Sequence, residues 1–233
     1  MRKALSIALL GLVAAAPAVQ AGSWNASIDF VSDYRFRGIS QTQGDPALQI
    51  GGQYAFDNGI YLGTWASNVD FADGDGANTE VDLFVGFGTN LTEDFAVDAQ
   101  VLHYVYPSTA SGVDYDYTEV IASLSWKGML TGTIGYSNDV FASDETGIYY
   151  QLGTSHTVFD EFTIAGSLGY YDLDDVYGGG YTDYSVGVSR AIGPLSVGLA
   201  WVSTNRNLDE VFGPNDGSQF VFSIGTTFPA SAE

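Results

Sequence analysis

From Trp24 onward the side chains alternate between apolar and polar, segment after segment, and no other feature limits the fold as tightly. A period of two belongs to strands, where successive side chains leave opposite faces. Trp24, Ala26, Ile28, Phe30, Tyr34 and Phe36 fall on one face of a first strand, and Asn25, Ser27, Asp29, Asp33, Arg35 and Arg37 on the other. Val81, Leu83, Val85 and Phe87 oppose Glu80, Asp82, Gly86 and Gly88; Val97, Ala99, Val101 and Val105 oppose Asp98, Gln100 and Tyr104. Phe220, Phe222, Ile224, Thr226 and Phe228 oppose Val221, Ser223, Gly225 and Thr227. Helical periodicity is lacking, and glycine inside most segments disfavours helix by about 1 kcal/mol each. The chain reads as all-β.

The connectors alternate too. Tight polar turns at Asp57-Asn58-Gly59, Leu91-Thr92-Glu93-Asp94, Lys127-Gly128, Phe159-Asp160-Glu161 and Gly193-Pro194 suit hairpins. Between them run longer, Gly-rich, mostly acidic stretches: 38–46, 72–78, 107–114, 142–146, 172–180 and 205–217. They separate about twelve segments of roughly 9–12 residues, the length that crosses a bilayer when tilted. This predicts a single antiparallel up-and-down transmembrane β-barrel of about 12 strands, with short periplasmic turns and long extracellular loops. A secreted β-sandwich would show the same alternation with its apolar face turned inward. Aromatic residues at strand ends favour the barrel, as two interfacial girdles: Trp24, Tyr61, Phe95 and Trp126 near the short turns, and Tyr34, Phe36, Tyr106, Tyr115, Tyr181 and Tyr184 near the long loops. Arg190, the charged exception on the apolar face, lies beside a short turn where it can snorkel.

Arg2 and Lys3, the apolar run Ala4 to Ala16 and the small residues around Val19-Gln20-Ala21 predict a secretory signal over 1–21, with the barrel occupying 22–233. Removing two of seven basic residues leaves five against 28 acids. That balance gives no means of neutralising phosphates, so nucleic acid is not an expected partner. With no cysteine and two histidines, thiolate chemistry is excluded and a general base is hard to build. No cofactor is expected, and no metal site is assigned.

The stretch Ser32-Asp33-Tyr34-Arg35-Phe36-Arg37-Gly38-Ile39-Ser40-Gln41-Thr42 resembles the TorF-type porins, a bacterial family otherwise catalogued as conserved hypothetical proteins. The likeness continues through Asp45-Pro46-Ala47-Leu48-Gln49 and 61–69, and returns at 104–107 and 116–119. Beyond Trp126 only general character matches. The resemblance implies an outer-membrane barrel that forms a pore, without an established substrate or catalytic residues. The final strand, ending on Phe228, is similar to the aromatic-terminated last strand of such barrels, although five residues follow it here.

The candidate lumenal residues are Asp29, Asp33, Arg35, Arg37, Glu80, Asp82, Asp98, Gln100, Glu119 and Asp183, all on the polar face. They read either as a charged constriction that selects solutes or as an ion-pair network that rigidifies the interior. Twelve strands at about 4.8 Å spacing and about 40° tilt enclose a backbone diameter of about 24 Å, about half of it filled by side chains. Asp70, Asp73, Asp75, Asn78 and Glu80 crowd one loop with hard oxygen donors, but the spacing is not that of an EF-hand. His103 and His156 fall near opposite rims with no paired serine, so a lipid hydrolase is disfavoured and no catalytic residue is assigned. The leading expectation is an outer-membrane channel for small polar solutes, favouring cations. The alternative is a non-conducting barrel whose acidic loops bind a partner or divalent cations.

Overall fold

The computed structural model describes residues 22–71, 74, 76–159, 161–205 and 217–229. The expected signal segment, Asp73, Asp75 and most of the last long connector lie outside the described residues.

Twelve strands close into one antiparallel barrel. In chain order they are β1 (Ser23–Val31), β4 (Ala47–Ala55), β5 (Ile60–Asn68), β6 (Thr79–Asn90), β7 (Phe95–Val105), β8 (Tyr117–Trp126), β9 (Leu130–Ser137), β10 (Gly147–Val158), β11 (Phe162–Asp172), β12 (Tyr181–Ile192), β13 (Leu195–Thr204) and β14 (Gln219–Pro229). Each pairs with its neighbour in sequence, and β1 closes the ring against β14, with Ala26 opposite Phe228 and Phe30 opposite Ile224. The remaining strands, β2 (Arg35–Phe36) and β3 (Ile39–Ser40), form a separate two-stranded hairpin in the first long connector.

The alternation sorts side chains as a barrel in lipid requires. Ile28, Leu48, Leu83, Val120, Leu152 and Val186 all point outward and are about half exposed. So continuous an apolar outer wall has no place in water. Trp24, Phe95 and Trp126 ring the short-turn end from outside, as expected. Arg190 also faces outward there, paired with Glu161 at 2.9 Å and lying over the Phe162 ring.

The long-loop girdle needs correction. Tyr34, Phe36, Tyr106 and Tyr181 are buried inside, and so is Tyr61 at the other end, where its hydroxyl donates to Asp98 at 2.8 Å. The outward aromatics at the long-loop end are Tyr136, Tyr150, Tyr170 and Phe220, with Tyr184 against Trp201. Tyr34, Tyr61 and Tyr106 satisfy acidic groups that would otherwise be stranded away from water, which outweighs their affinity for an interface.

The first strand also ends sooner than the alternation suggests. Barrel pairing stops at Val31, and the chain then turns into the lumen. Asp33, Tyr34, Arg35, Phe36 and Arg37 therefore belong to the inward hairpin, not to the wall. Period two persists through them because β2 is itself a strand, with a different partner.

Candidate functional site

The hairpin turns on Arg37 and Gly38, both at positive φ (48° and 86°), in the two-residue connection typical of tight β-hairpins. Arg35 sits opposite Ser40 and Phe36 opposite Ile39; the Gln41 amide donating to the Tyr34 carbonyl at 2.7 Å extends the pairing. A side chain at Gly38 would press on Thr204 and on the Asp183 Cβ at 2.7 and 2.9 Å, so the tip abuts the wall built by β12 and β13.

Two arginines hold this hairpin, each by a different chemistry. Arg35 is internal to the loop. Its Nε donates to Asp33 at 2.6 Å and its Nη1 to the carbonyls of Gly38 and Gly217, while Ser40 donates to the second Asp33 oxygen at 2.6 Å. Arg37 crosses the lumen. Its Nη2 reaches both oxygens of Glu119 at 2.6 and 2.7 Å, on β8, five strands round the barrel from β1 and so nearly opposite. The guanidinium lies 4.1 Å from the Tyr149 ring centre, 4.4 Å from Tyr171 and 4.6 Å from Phe36. Gly135 leaves the room, since a Cβ there would meet Glu119 at 2.6 Å. Burial disfavours the Arg37 charge, but Glu119 together with Tyr171, Tyr104 and Tyr117 outweighs it and raises the affinity for the proton.

Around the hairpin the wall presents carboxylates. Glu80 accepts from Tyr34 at 2.9 Å and from Tyr106 at 3.1 Å; burial and the negative charge of Glu80 keep the Tyr34 hydroxyl protonated well beyond its ordinary range. Tyr104 donates to Glu119 at 3.1 Å, and Tyr149 to Asp183 at 3.0 Å. Asp82 is 0% exposed, and neither of its carboxylate oxygens has a hydrogen-bond partner. Glu80, Asp82, Glu119, Asp183 and Asp29 all lie within a few residues of the long-loop ends of their strands, forming an acidic collar at hairpin depth. Asp98 and Gln100 face inward nearer the short turns. Among the described residues four ion pairs occur, and only those of Arg35 and Arg37 are inside.

The hairpin divides two spaces of different chemistry. Toward the short turns lies a smaller chamber, with Thr133, Gln151, Ser167 and Ser185 on its wall beside Ile121, Tyr149 and Val202. Toward the long loops opens a recess of about 170 Å³, walled chiefly by aromatic rings. The tyrosines that line it or hold the carboxylates went unnoticed as site residues in the sequence. Register would have revealed Tyr104, Tyr117 and Tyr149, which share the inward face of their strands with Gln100, Glu119 and Gln151.

His103 bonds Thr118 at 3.0 Å on the outer wall, while His156 is exposed near the short-turn end; neither joins the lumenal cluster. The Asp73–Asn78 oxygen cluster lies partly outside the described residues. Among the described residues no group of three acidic or histidine side chains is arranged to hold a metal ion.

A closed twelve-strand barrel, apolar outside, with a polar lumen narrowed by an inward loop, defines the class: a membrane-barrel protein of porin-like architecture. The chain belongs to Gcw_chp, a family of bacterial proteins of unknown function, whose sequence profile matches residues 15–228. Among solved structures it is similar to the KdgM porin, at 9% identity and TM-score 0.53 over 88% of this chain and 99% of that one. It is also similar to the NanC porin, at 13% identity and TM-score 0.55 over 88% and 98%. An outer-membrane channel from Pseudomonas putida F1 matches at 11% identity and TM-score 0.52 over 91% and 97%. At such identities the likeness is one of fold. No curated protein matches the sequence.

Proposed function

We propose that the protein is a passive outer-membrane channel for small polar solutes, favouring cations, with the inward hairpin as its constriction. The carrying observation is the imbalance of charge inside the barrel. Arg35 and Arg37 are both consumed in ion pairs, whereas Glu80, Asp82 and Asp98 have no cationic partner among the described residues. A low-dielectric passage lined by one sign of charge concentrates the opposite ion. The KdgM porin has been seen in complex with oligogalacturonate, a polyanion. An acidic lumen is suited to the reverse. The signal segment and the resemblance to TorF-type porins support export to the outer membrane, with short turns in the periplasm and long loops outside.

A second reading is a closed barrel, since the hairpin tip already touches the wall at Asp183 and Thr204. Purified protein in planar bilayers separates the two. Discrete conductance steps with a reversal potential on the cation side are expected under a salt gradient. An anion-selective channel would refute the charge argument, and silence at all voltages would favour the closed barrel.

A further inference from the structure

Inside this barrel one acid–aromatic niche holds its own cation and a neighbouring one does not. In the first, Glu119 and the rings of Phe36, Tyr149 and Tyr171 enclose the Arg37 guanidinium. The second is the long-loop recess. Phe71, Tyr106 and Tyr115 meet there edge to face, with ring centres 5.5 to 6.1 Å apart. Tyr104 stacks on Tyr117 at 4.3 Å, and Phe141 continues that wall at 5.5 Å from Tyr117. Glu80 is among the groups that line this space. Its neighbour two residues along the same inward face is Asp82, which lies in register between Trp65 and Tyr104.

Neither carboxylate is compensated. Glu80 receives two neutral phenol donors, Asp82 receives none, and among the described residues no ion pair reaches either. Asp82 is fully buried and outside the lining of the recess, so Glu80 is the carboxylate that faces it. The recess beside Glu80 supplies what a cation of low hydration needs: several ring faces, a carboxylate in its lining, and a space of about 170 Å³. A hard inorganic cation would need a shell of oxygen ligands. The Glu80 oxygens already accept phenol protons, and most of the lining is carbon.

We infer that the aromatic recess at the long-loop end binds a small organic cation of the alkylammonium type. The rings of Tyr104, Tyr106 and Tyr115 take the methyl groups, and Glu80 supplies the counter-charge. This deepens the channel reading by naming a solute class, but the site is tested by binding, so either can fail alone.

The test is calorimetric titration of the folded, detergent-solubilised protein at low salt with choline, with 3,3-dimethylbutan-1-ol and with glucose. The alcohol has the shape of choline without its charge. Choline is expected to saturate one site at least tenfold more tightly than the alcohol, since the cation–π and carboxylate contributions vanish in the neutral compound. Glu80→Gln, which keeps an acceptor for the Tyr34 and Tyr106 hydroxyls, should weaken choline about tenfold and leave the alcohol unchanged. Tyr115→Leu, in a connector outside the barrel wall, should weaken choline severalfold. Equal affinity for choline and the alcohol, tighter binding of glucose, or no saturable choline binding would each overturn the inference. A protein that binds choline but conducts nothing would leave it standing and refute the channel.

Discussion

Replacing Arg37 with Met tests whether one ion pair keeps the lumen narrowed. The guanidinium makes two contacts of 2.6 and 2.7 Å to a Glu119 that is 0% exposed. Methionine keeps the length and apolar contact but leaves that carboxylate with Tyr104 as its remaining donor. Removing one member of a buried pair costs about 3–5 kcal/mol. Here the hairpin has an alternative, since it can leave the lumen and let Glu119 meet water. At about 1.4 kcal/mol per factor of ten, the seated-to-released equilibrium shifts by roughly two to three and a half orders of magnitude. Two assays read it. Trypsin should cut after Arg35 in the variant, while the wild-type hairpin, with Arg35 buried, should resist. Single-channel conductance should rise and become noisy. Removing both charges, Arg37→Met with Glu119→Gln, should recover much of the resistance, because the stranded charge rather than the lost pair carries the cost. If Arg37→Met keeps full trypsin resistance and an unchanged conductance, the pair does not hold the hairpin.

Gly38→Val should release the hairpin as well, by about 1–3 kcal/mol, since a β-branched residue must take a positive φ and push on Thr204 and Asp183; trypsin sensitivity reads this in the same way. Tyr149→Phe leaves the buried Asp183 without its phenol donor and should cost about 1–3 kcal/mol, seen as a lower temperature for the unfolding shift in gel mobility. Cation preference should be strongest in dilute salt and should decline toward 1 M, where the screening length falls to about 3 Å; a salt-independent reversal potential would argue against the acidic collar as its source. A tag inserted between Asp174 and Val176, in the one-turn helix Asp174–Tyr177 of a long connector, should be labelled on intact cells, and labelling only after outer-membrane disruption would reverse the topology.

Much of this architecture could be read from residue order because its cause is local. Leu83, Val85 and Phe87 alternate with Asp82, Gly86 and Gly88 whatever the rest of the chain does, and a strand must send the two sets to opposite sides. Connector lengths then decide which ends are joined tightly, so twelve strands and two unequal rims followed from counting. Inside the barrel the same alternation puts Glu80, Asp82, Asp98, Gln100, Glu119 and Asp183 on the polar face of their strands. It misplaced Asp33, Arg35 and Arg37, because period two does not say which strand is the partner. Whether Arg35 pairs with the wall or with Ser40 depends on a turn at Arg37-Gly38 and on a carboxylate 82 residues away, across the lumen. The fate of the tyrosines was undetermined for the same reason. An aromatic side chain at a strand end suits a lipid interface or a buried acid equally well. Only closure of the barrel brings Glu80, Glu119 and Asp183 from three strands to one depth, where Tyr34, Tyr104, Tyr106 and Tyr149 can reach them.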